Sequence, residues 1–298
     1  MTDVNASQSG PPKMYRPWVG VVLSLFISGS SQFLRGKWLA GICWFVGISL
    51  LKFLAYFCLA SPLFPRDSFA FALFAIALAA WIVMLIQSCK PIPRFGWSYW
   101  LLFVFLVLFL DVGSFVVTKS VIRPFKIPTA GMSPTILGNR IEADGKRIDG
   151  DHIFAERYAY WFGKPQRGDI VAFRTEGILE NSREQYRISS REIYLKRIAG
   201  VPGDVLSIQN GLLCNNGQII AQPAGLANLR FPTPAERGSI YLNNPMMSYK
   251  VPDGAYFVIG DNTTNSLDSR YYGVIDGSSI IGRVSKIYLP LNRAGVVQ

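Results

Sequence analysis

Apolar and polar positions along the chain follow two regimes that change over near Lys119. Before that point, three runs are long enough to cross a hydrocarbon core of about 30 Å, which takes about 20 residues of helix. They are Trp38–Ala60, Ser68–Ser88 and 98–118. A fourth run, 17–34, is shorter and is interrupted by Ser28, Gly29, Ser30, Ser31 and Gln32, so a re-entrant or interfacial hairpin is expected there in preference to a span. Beyond Thr118 the pattern breaks into short runs rich in Val, Ile, Tyr and Phe: 170–173, 192–198, 205–208, Ala255–Ile259 and 280–287. Gly, Pro and Asn separate these runs, which is a β signature without any strong amphipathic helix. The charged stretch 175–191 and the proline-bearing stretch 221–245 read as inserted loops. The expected architecture is a polar cytoplasmic tail over 1–16, a membrane anchor of three or four helices over 17–118, and one mostly β domain over 119–298.

Charge follows the same division. Eight of the 30 Lys and Arg residues and three of the 19 Asp and Glu residues precede Lys119. The net charge of +11 is spread over both parts and forms no single basic face, so it gives nucleic-acid binding little support. Affinity for anionic headgroups of a lipid bilayer and ordinary solubility charge both account for it. Arg35 and Lys37 flank one end of a span, as do Lys90 and Arg94, and the positive-inside rule places all four in the cytoplasm. Three spans then leave the tail with Lys13 and Arg16 inside and everything after Thr118 outside, the arrangement of a multi-pass inner or plasma membrane protein with an extracytoplasmic domain. Lys52 and Asp111 lie at nearly the same depth, and they either pair across the bundle or reach the interface separately. Residues 1–12 are polar and no small-residue cleavage pattern follows, so no cleavable signal is expected. Of the four cysteines only Cys214 falls in the β part, which excludes a disulfide within it.

The single histidine, His152, rules out a two-histidine metal site and is expected in a strand or turn. Cys/His clusters of metal-ligand spacing and glycine-rich phosphate loops are missing from the sequence, so no metal and no cofactor are expected. Hydrolysis by protein groups alone is the chemistry left open. A lysine serves as its base if burial among apolar side chains lowers its pKa. Lys196, in Tyr194-Leu195-Lys196-Arg197-Ile198-Ala199-Gly200-Val201-Pro202-Gly203-Asp204, sits on an apolar strand that runs into a Gly/Pro turn.

Four segments resemble, in order and spacing, the conserved boxes of type I signal peptidase, the bacterial serine-lysine family. They are Ile127-Pro128-Thr129-Ala130-Gly131-Met132-Ser133-Pro134-Thr135, Arg167-Gly168-Asp169-Ile170-Val171-Ala172-Phe173, the lysine segment above, and 260–273, which begins Gly260-Asp261-Asn262. The resemblance covers roughly residues 115 to 290. It implies a membrane-bound serine-type endopeptidase that cleaves signal peptides from exported preproteins by a lysine-assisted mechanism, with a mostly β catalytic domain and small residues favoured at the cleavage site. By that resemblance Lys196 is the general base and Thr129 forms the oxyanion hole with the nucleophile's own N–H. Ser266 orients the lysine amine, Asp268 and Arg270 form a supporting ion pair, and Arg197 fixes the strand.

Met132, Pro134 and Thr135 set the register and put Gly131 where that family keeps its serine. Three readings follow: Ser133 or Thr129 substitutes as nucleophile; the chain is an inactive paralogue that binds signal peptides or membrane partners; or it is an active enzyme altered at one position. Turn-forming Gly, Pro and Asp in a plain β domain leave the conjunction of Lys196 and Ser266 unexplained. A transporter or channel is disfavoured because the spans carry a single candidate ion pair.

Overall fold

In a computed structural model the chain is described over residues 14–60, 68–93, 101, 104–105, 108, 121–142, 145–232 and 239–297. It divides into two compact units, one from the apolar first part and one from Lys119 onward.

In the first unit, helix α1 (Pro17–Phe26) opens on a proline, whose fixed φ and missing N–H suit a first helical turn. It stops at Ile27, and the chain turns through Gly29 at φ 85° before the short helix α2 (Ser30–Leu34). The interruption expected within 17–34 is therefore present, built on the left-handed conformation that glycine adopts without penalty. Helices α3 (Trp38–Ala60) and α4 (Ser68–Ser88) coincide with two of the apolar runs. Among the described residues these two are long and apolar enough to cross a membrane. The run 98–118 lies largely outside the described residues, and so do Asp111 and with it the proposed partnership with Lys52. The Ser88 hydroxyl donates to Ser24 Oγ at 3.0 Å, and Ser24 Oγ also accepts the Ser31 N–H at 3.2 Å. The Arg35 guanidinium donates to Ser31 Oγ at 2.6 Å and to the Gln87 carbonyl at 2.9 Å. A hydroxyl seam thus joins α1, α2 and α4.

In the second unit, β1 (Ile122–Lys126), β2 (His152–Glu156), β3 (Ile170–Arg174), β4 (Ile193–Gly200), β9 (Ala255–Ile259), β10 (Ile275–Asp276), β11 (Ile280–Leu289) and β12 (Gly295–Val296) build an eight-stranded sheet. Its order is β10-β9-β4-β3-β11-β2-β1, with β12 on β11, and every pairing is antiparallel. A smaller sheet of β5 (Val205–Gln209), β6 (Leu212–Asn215), β7 (Gln218–Ile219) and β8 (Tyr249–Lys250) runs in the order β7-β6-β5-β8. The β runs read from the sequence are all present with ends shifted by two residues or fewer.

The apolar continuity of β3 has a structural cause. Ile170 and Ala172 face one core with Ile153, Met132 and Ile136, while Val171 and Phe173 face another with Ile198, Val258 and Tyr272. A strand covered on both faces carries no polar alternation. The stretch 175–191 is more ordered than the expected loop, with a 3-10 turn at Thr175–Gly177 and helix α5 (Glu180–Gln185). Helix α6 (Ala224–Ala227) likewise interrupts 221–245. Both helices are too short to show an amphipathic period, which is why the sequence did not betray them.

Candidate active site

The loop that leaves β1 is pinned from beneath. Met132 and Ile136 are fully buried in the core shared with Ile153 and Ala172, and truncating either to alanine would cost about 2–5 kcal/mol. Gly131 rides above these anchors, with its carbonyl accepting the Asn262 N–H at 3.2 Å, while Asn262 Nδ2 donates to the Ala130 carbonyl at 3.1 Å. Two glycines permit this approach. A Cβ on Gly260 would stand 2.4 Å from the Gly131 carbonyl oxygen and 2.1 Å from Ser266 Oγ, and one on Gly138 would stand 2.2 Å from the Thr129 carbonyl.

Gly131 itself is different. Its backbone is one that any L-residue adopts, and a Cβ there would meet Lys196 Nζ at 3.3 Å, a tight contact from which the flexible end of the lysine must draw back by a few tenths of an ångström, with Ser266 Oγ at 3.5 Å and the Asn265 carbonyl at 3.8 Å. Lys196 is 7% exposed on β4, opposite Val171 of β3. Burial pushes its amine below the ordinary lysine range; Asp268 and Asp261 pull the other way and Arg270 adds to the lowering. The amine lies 5.6 Å from the centre of the Tyr194 ring. The Ser266 hydroxyl is buried and has no hydrogen-bond partner among the described residues.

Two buried ion pairs frame these groups. Arg270 donates to Asp268 from Nε and Nη2, both at 2.9 Å, and Asp268 Oδ2 accepts the Gly260 N–H at 2.9 Å. Arg270 Nη1 reaches the Thr263 carbonyl at 2.7 Å. Arg197 grips Asp261 from Nε at 2.8 Å and Nη2 at 2.7 Å, with both side chains at most 2% exposed. Asp261 also accepts the Thr135 hydroxyl at 2.5 Å, so one carboxylate ties β4 to the loop that carries Gly131. Sequence reasoning used Thr135 only to set the register and gave Asp261 no role; both lie within the quoted motifs, but the contact that joins them spans 126 positions along the chain.

A cleft of about 560 Å³ opens over these groups. One wall is residues 125–131, including Thr129 and Gly131, and the other is 192–196; Ile153 and Ala172 lie at its base, and 265–267 close the end beside Lys196. Lys196, Gly131, Ser266 and Thr129 thus come together, with Asp268, Arg270 and Arg197 packed behind. Ser133 is not among the described residues that line the cleft. His152 is on β2, edge-on to the Tyr288 ring, and is likewise away from the lining.

Known proteins resemble this chain at the level of sequence. A signal peptidase I from Leptolyngbya laminosa is 31% identical over 169 residues, covering 57% of this chain and 70% of that one. The probable signal peptidase I-1 of Synechocystis sp. is 31% identical over 211 residues, covering 69% and 90%. A signal peptidase I from Enterococcus faecalis V583 with a crystal structure is 28% identical, covers 40% of this chain and 96% of its own, and superposes with a TM-score of 0.29. The family described as signal peptidase, peptidase S26, matches residues 96–289, well over half of the chain, and the chain belongs to that family.

Proposed function

We propose that the cleft between 125–131 and 192–196 holds the cleavage-site segment of a signal peptide, with Lys196 as general base and position 131 as the place of the nucleophile. The family makes the chain a serine-type peptidase of signal-peptide processing. The observation that carries the assignment of roles is the direction of residue 131, whose Cβ would lie 3.3 Å from a buried amine held below its ordinary pKa. A hydroxyl at that position comes within the 2.6–3.2 Å or so that proton transfer needs. The neutral amine takes its proton as the oxygen adds to the scissile carbonyl. The N–H of residue 131 and the Thr129 hydroxyl then hold the developing oxyanion, where one donor is worth about 3–4 kcal/mol. The lysine ammonium returns the proton to the departing amine, and water releases the acyl group. Ser266, buried and without a hydrogen-bond partner among the described residues, steers the amine, and the pairs Asp268–Arg270 and Arg197–Asp261 hold the two walls in place.

Glycine supplies no hydroxyl, so Gly131 is the one member of this constellation that cannot act. Ser133 stands outside the cleft lining. Thr129 lines it, but it stands two positions before residue 131, whose Cβ direction is the one aimed at the amine. On this reading Lys196 is the base, Thr129 the oxyanion donor and 125–131 and 192–196 the binding walls, and Gly131→Ser supplies the remaining group. The apolar helices α3 and α4, together with Arg35, Lys37 and Lys90 at their ends, support a multi-pass anchor over 17–118 in the inner or plasma membrane. On this reading residues 1–16 are cytoplasmic and 119–298 form the extracytoplasmic catalytic domain beside the bilayer.

The test is cleavage of a preprotein by the lipid-reconstituted chain as it stands and by Gly131→Ser, Ser133→Ala and Gly131→Ser/Lys196→Ala. Only Gly131→Ser should cleave. Cleavage by the unaltered chain that disappears in Ser133→Ala overturns the placement of the nucleophile. A folded, peptide-binding Gly131→Ser protein that fails to cleave overturns the dyad and leaves a binding role.

A further inference from the structure

The first unit gathers cations at one end and offers them no carboxylate. Its described residues contain no Asp or Glu; the three aspartates that precede Lys119 are Asp3, Asp67 and Asp111, all outside the described residues. Packing fixes where the cations lie. Met14–Tyr15 pairs antiparallel with Ile92–Pro93, Tyr15 opposite Ile92, and this sets Arg16 beside Lys90, where the chain leaves α4. A Cβ on Gly20 would stand 2.8 Å from the Ser88 carbonyl, so the first turn of α1 and the last of α4 meet at backbone distance. Arg35, at the end of α2, reaches the same turn through its bond to the Gln87 carbonyl. Lys37 follows just before α3 begins. Arg35 is held in place: Nε donates to the Ser31 carbonyl at 3.1 Å, and Nη2 donates to Ser31 Oγ and to Gln87. Its Nη1 has no partner among the described residues, and a guanidinium whose plane is fixed presents the remaining N–H groups in a set direction, which suits a phosphate oxygen. Gln32, three positions earlier on the same face of α2, is 5% exposed, and neither of its amide atoms has a partner among the described residues. Arg16, Lys37 and Lys90 are exposed, with no ion pair among the described residues. Trp18 and Trp38, both more than half exposed, open α1 and α3 at this same end. Tryptophan collects at the headgroup level of a bilayer, where lipid phosphates lie.

We propose that the junction of α1, α2 and α4 is a binding site for the phosphodiester of one anionic phospholipid, with Arg35 Nη1 donating to it and Arg16 and Lys90 supplying charge from either side. This rests on the membrane-anchor reading above. The exposed apolar flanks of α1 and α3, such as Val22 and Leu39, take the acyl chains, which a free phosphate lacks. A lipid seated there bridges three helix ends that the chain itself joins only through hydroxyl and backbone contacts.

The test is lipid binding to the full-length protein in detergent micelles, with bound molecules counted by native mass spectrometry during titration with phosphatidylglycerol, phosphatidylcholine or inorganic phosphate. One phosphatidylglycerol should bind saturably and more tightly than phosphatidylcholine. Each cation removed should weaken it about fivefold, so Arg16→Gln/Lys90→Gln should weaken it about 25-fold. Both side chains are exposed and the backbone pairing remains, so this variant should fold, which its unchanged melt checks. Lys250→Gln, which removes an exposed cation of the second unit, should leave the affinity as it was. Equal binding of the two lipids overturns the proposal, and so does equal weakening by Lys250→Gln, which would mean net charge without a site. Inorganic phosphate that displaces phosphatidylglycerol at equal concentration assigns the cations to a free oxyanion and overturns the lipid. Flotation with phosphatidylcholine vesicles reports separately on the anchor. Protein that fails to float sinks the membrane reading itself; protein that floats yet retains no phosphatidylglycerol sinks only the headgroup site.

Discussion

The carboxylate that spans the site offers a quantitative test. Asp261→Asn keeps the shape of the side chain and removes its charge, leaving the Arg197 guanidinium 1% exposed beside a neutral group. Breaking a buried ion pair from one side costs about 3–5 kcal/mol, because the remaining charge has already lost its water. Two hydrogen bonds at 2.8 and 2.7 Å are weakened together, which places the expectation inside that range and not below it. For a unit of roughly 150–250 residues each kcal/mol moves Tm by about 2–4 °C, so the melt should drop by roughly 6–20 °C. The transition is followed by near-ultraviolet circular dichroism in detergent or lipid, where the tyrosines of the second unit report on its packing. Because Asp261 also accepts the Thr135 hydroxyl, Asp261→Asn and Thr135→Val should couple by about 0.5–3 kcal/mol in a double-mutant cycle. Replacing both ionic partners, Asp261→Leu with Arg197→Met, should recover much of the loss, since well-packed apolar pairs substitute for buried ions at little cost. A loss under about 1 kcal/mol for Asp261→Asn, the scale of a solvated surface pair, would refute the account of this carboxylate as the tie between β4 and the Gly131 loop.

Three further outcomes follow from the same geometry. Lys196→Met should raise stability at neutral pH. The unfolded lysine titrates near its ordinary value of about 10.4, while the native amine titrates lower, so the unfolded state holds the extra proton between the two and native stability rises with pH across that window. The gain from methionine should therefore be largest at and below the native pKa and disappear above about pH 10.4, which chemical denaturation across a pH series checks. In Gly131→Ser, kcat/KM should climb with pH through the pKa of the Lys196 amine, since only the neutral form accepts the proton; a profile flat to pH 10 or so contradicts Lys196 as base. Gly260→Ala should cost about 1–3 kcal/mol and, combined with Gly131→Ser, abolish cleavage, because the added methyl would stand 2.1 Å from Ser266 Oγ and 2.4 Å from the Gly131 carbonyl. Urea denaturation and the preprotein assay check the two halves of that expectation.

Local signals reached different depths into this molecule. Helices α3 and α4 match the apolar runs because burial in lipid or protein demands an unbroken apolar length, and length is visible in one dimension. The break at Gly29 was legible for the same reason, since hydroxyl and glycine residues interrupt the run. Strands β3, β4 and β9 were legible as β-branched stretches bounded by turns. Their order was not: β11 lies between β3 and β2 across more than 100 positions, and no local pattern encodes that pairing. Lys196 could be singled out by an apolar strand around a charged residue, and the structure buries it. The parts played by Asp261 and Thr135 were hidden because each looks like an ordinary turn residue until the loop and β4 are brought together. Nor could sequence tell that a side chain at residue 131 would be aimed at the amine, which depends on the trajectory of a loop pinned by Met132 and Ile136.

The hydroxyl seam of the first unit has a mechanical consequence. Ser88 on α4 shares Ser24 with the N–H of Ser31, and Arg35 clamps the Ser31 hydroxyl to the carbonyl of Gln87. A Cβ on Gly29 would collide with the Gly41 carbonyl at 2.1 Å, so α3 is wedged directly against the turn between α1 and α2. A tug on the N-terminal tail would accordingly be passed to α3 and α4 as a single block, with no slack hinge at residue 29 to absorb it.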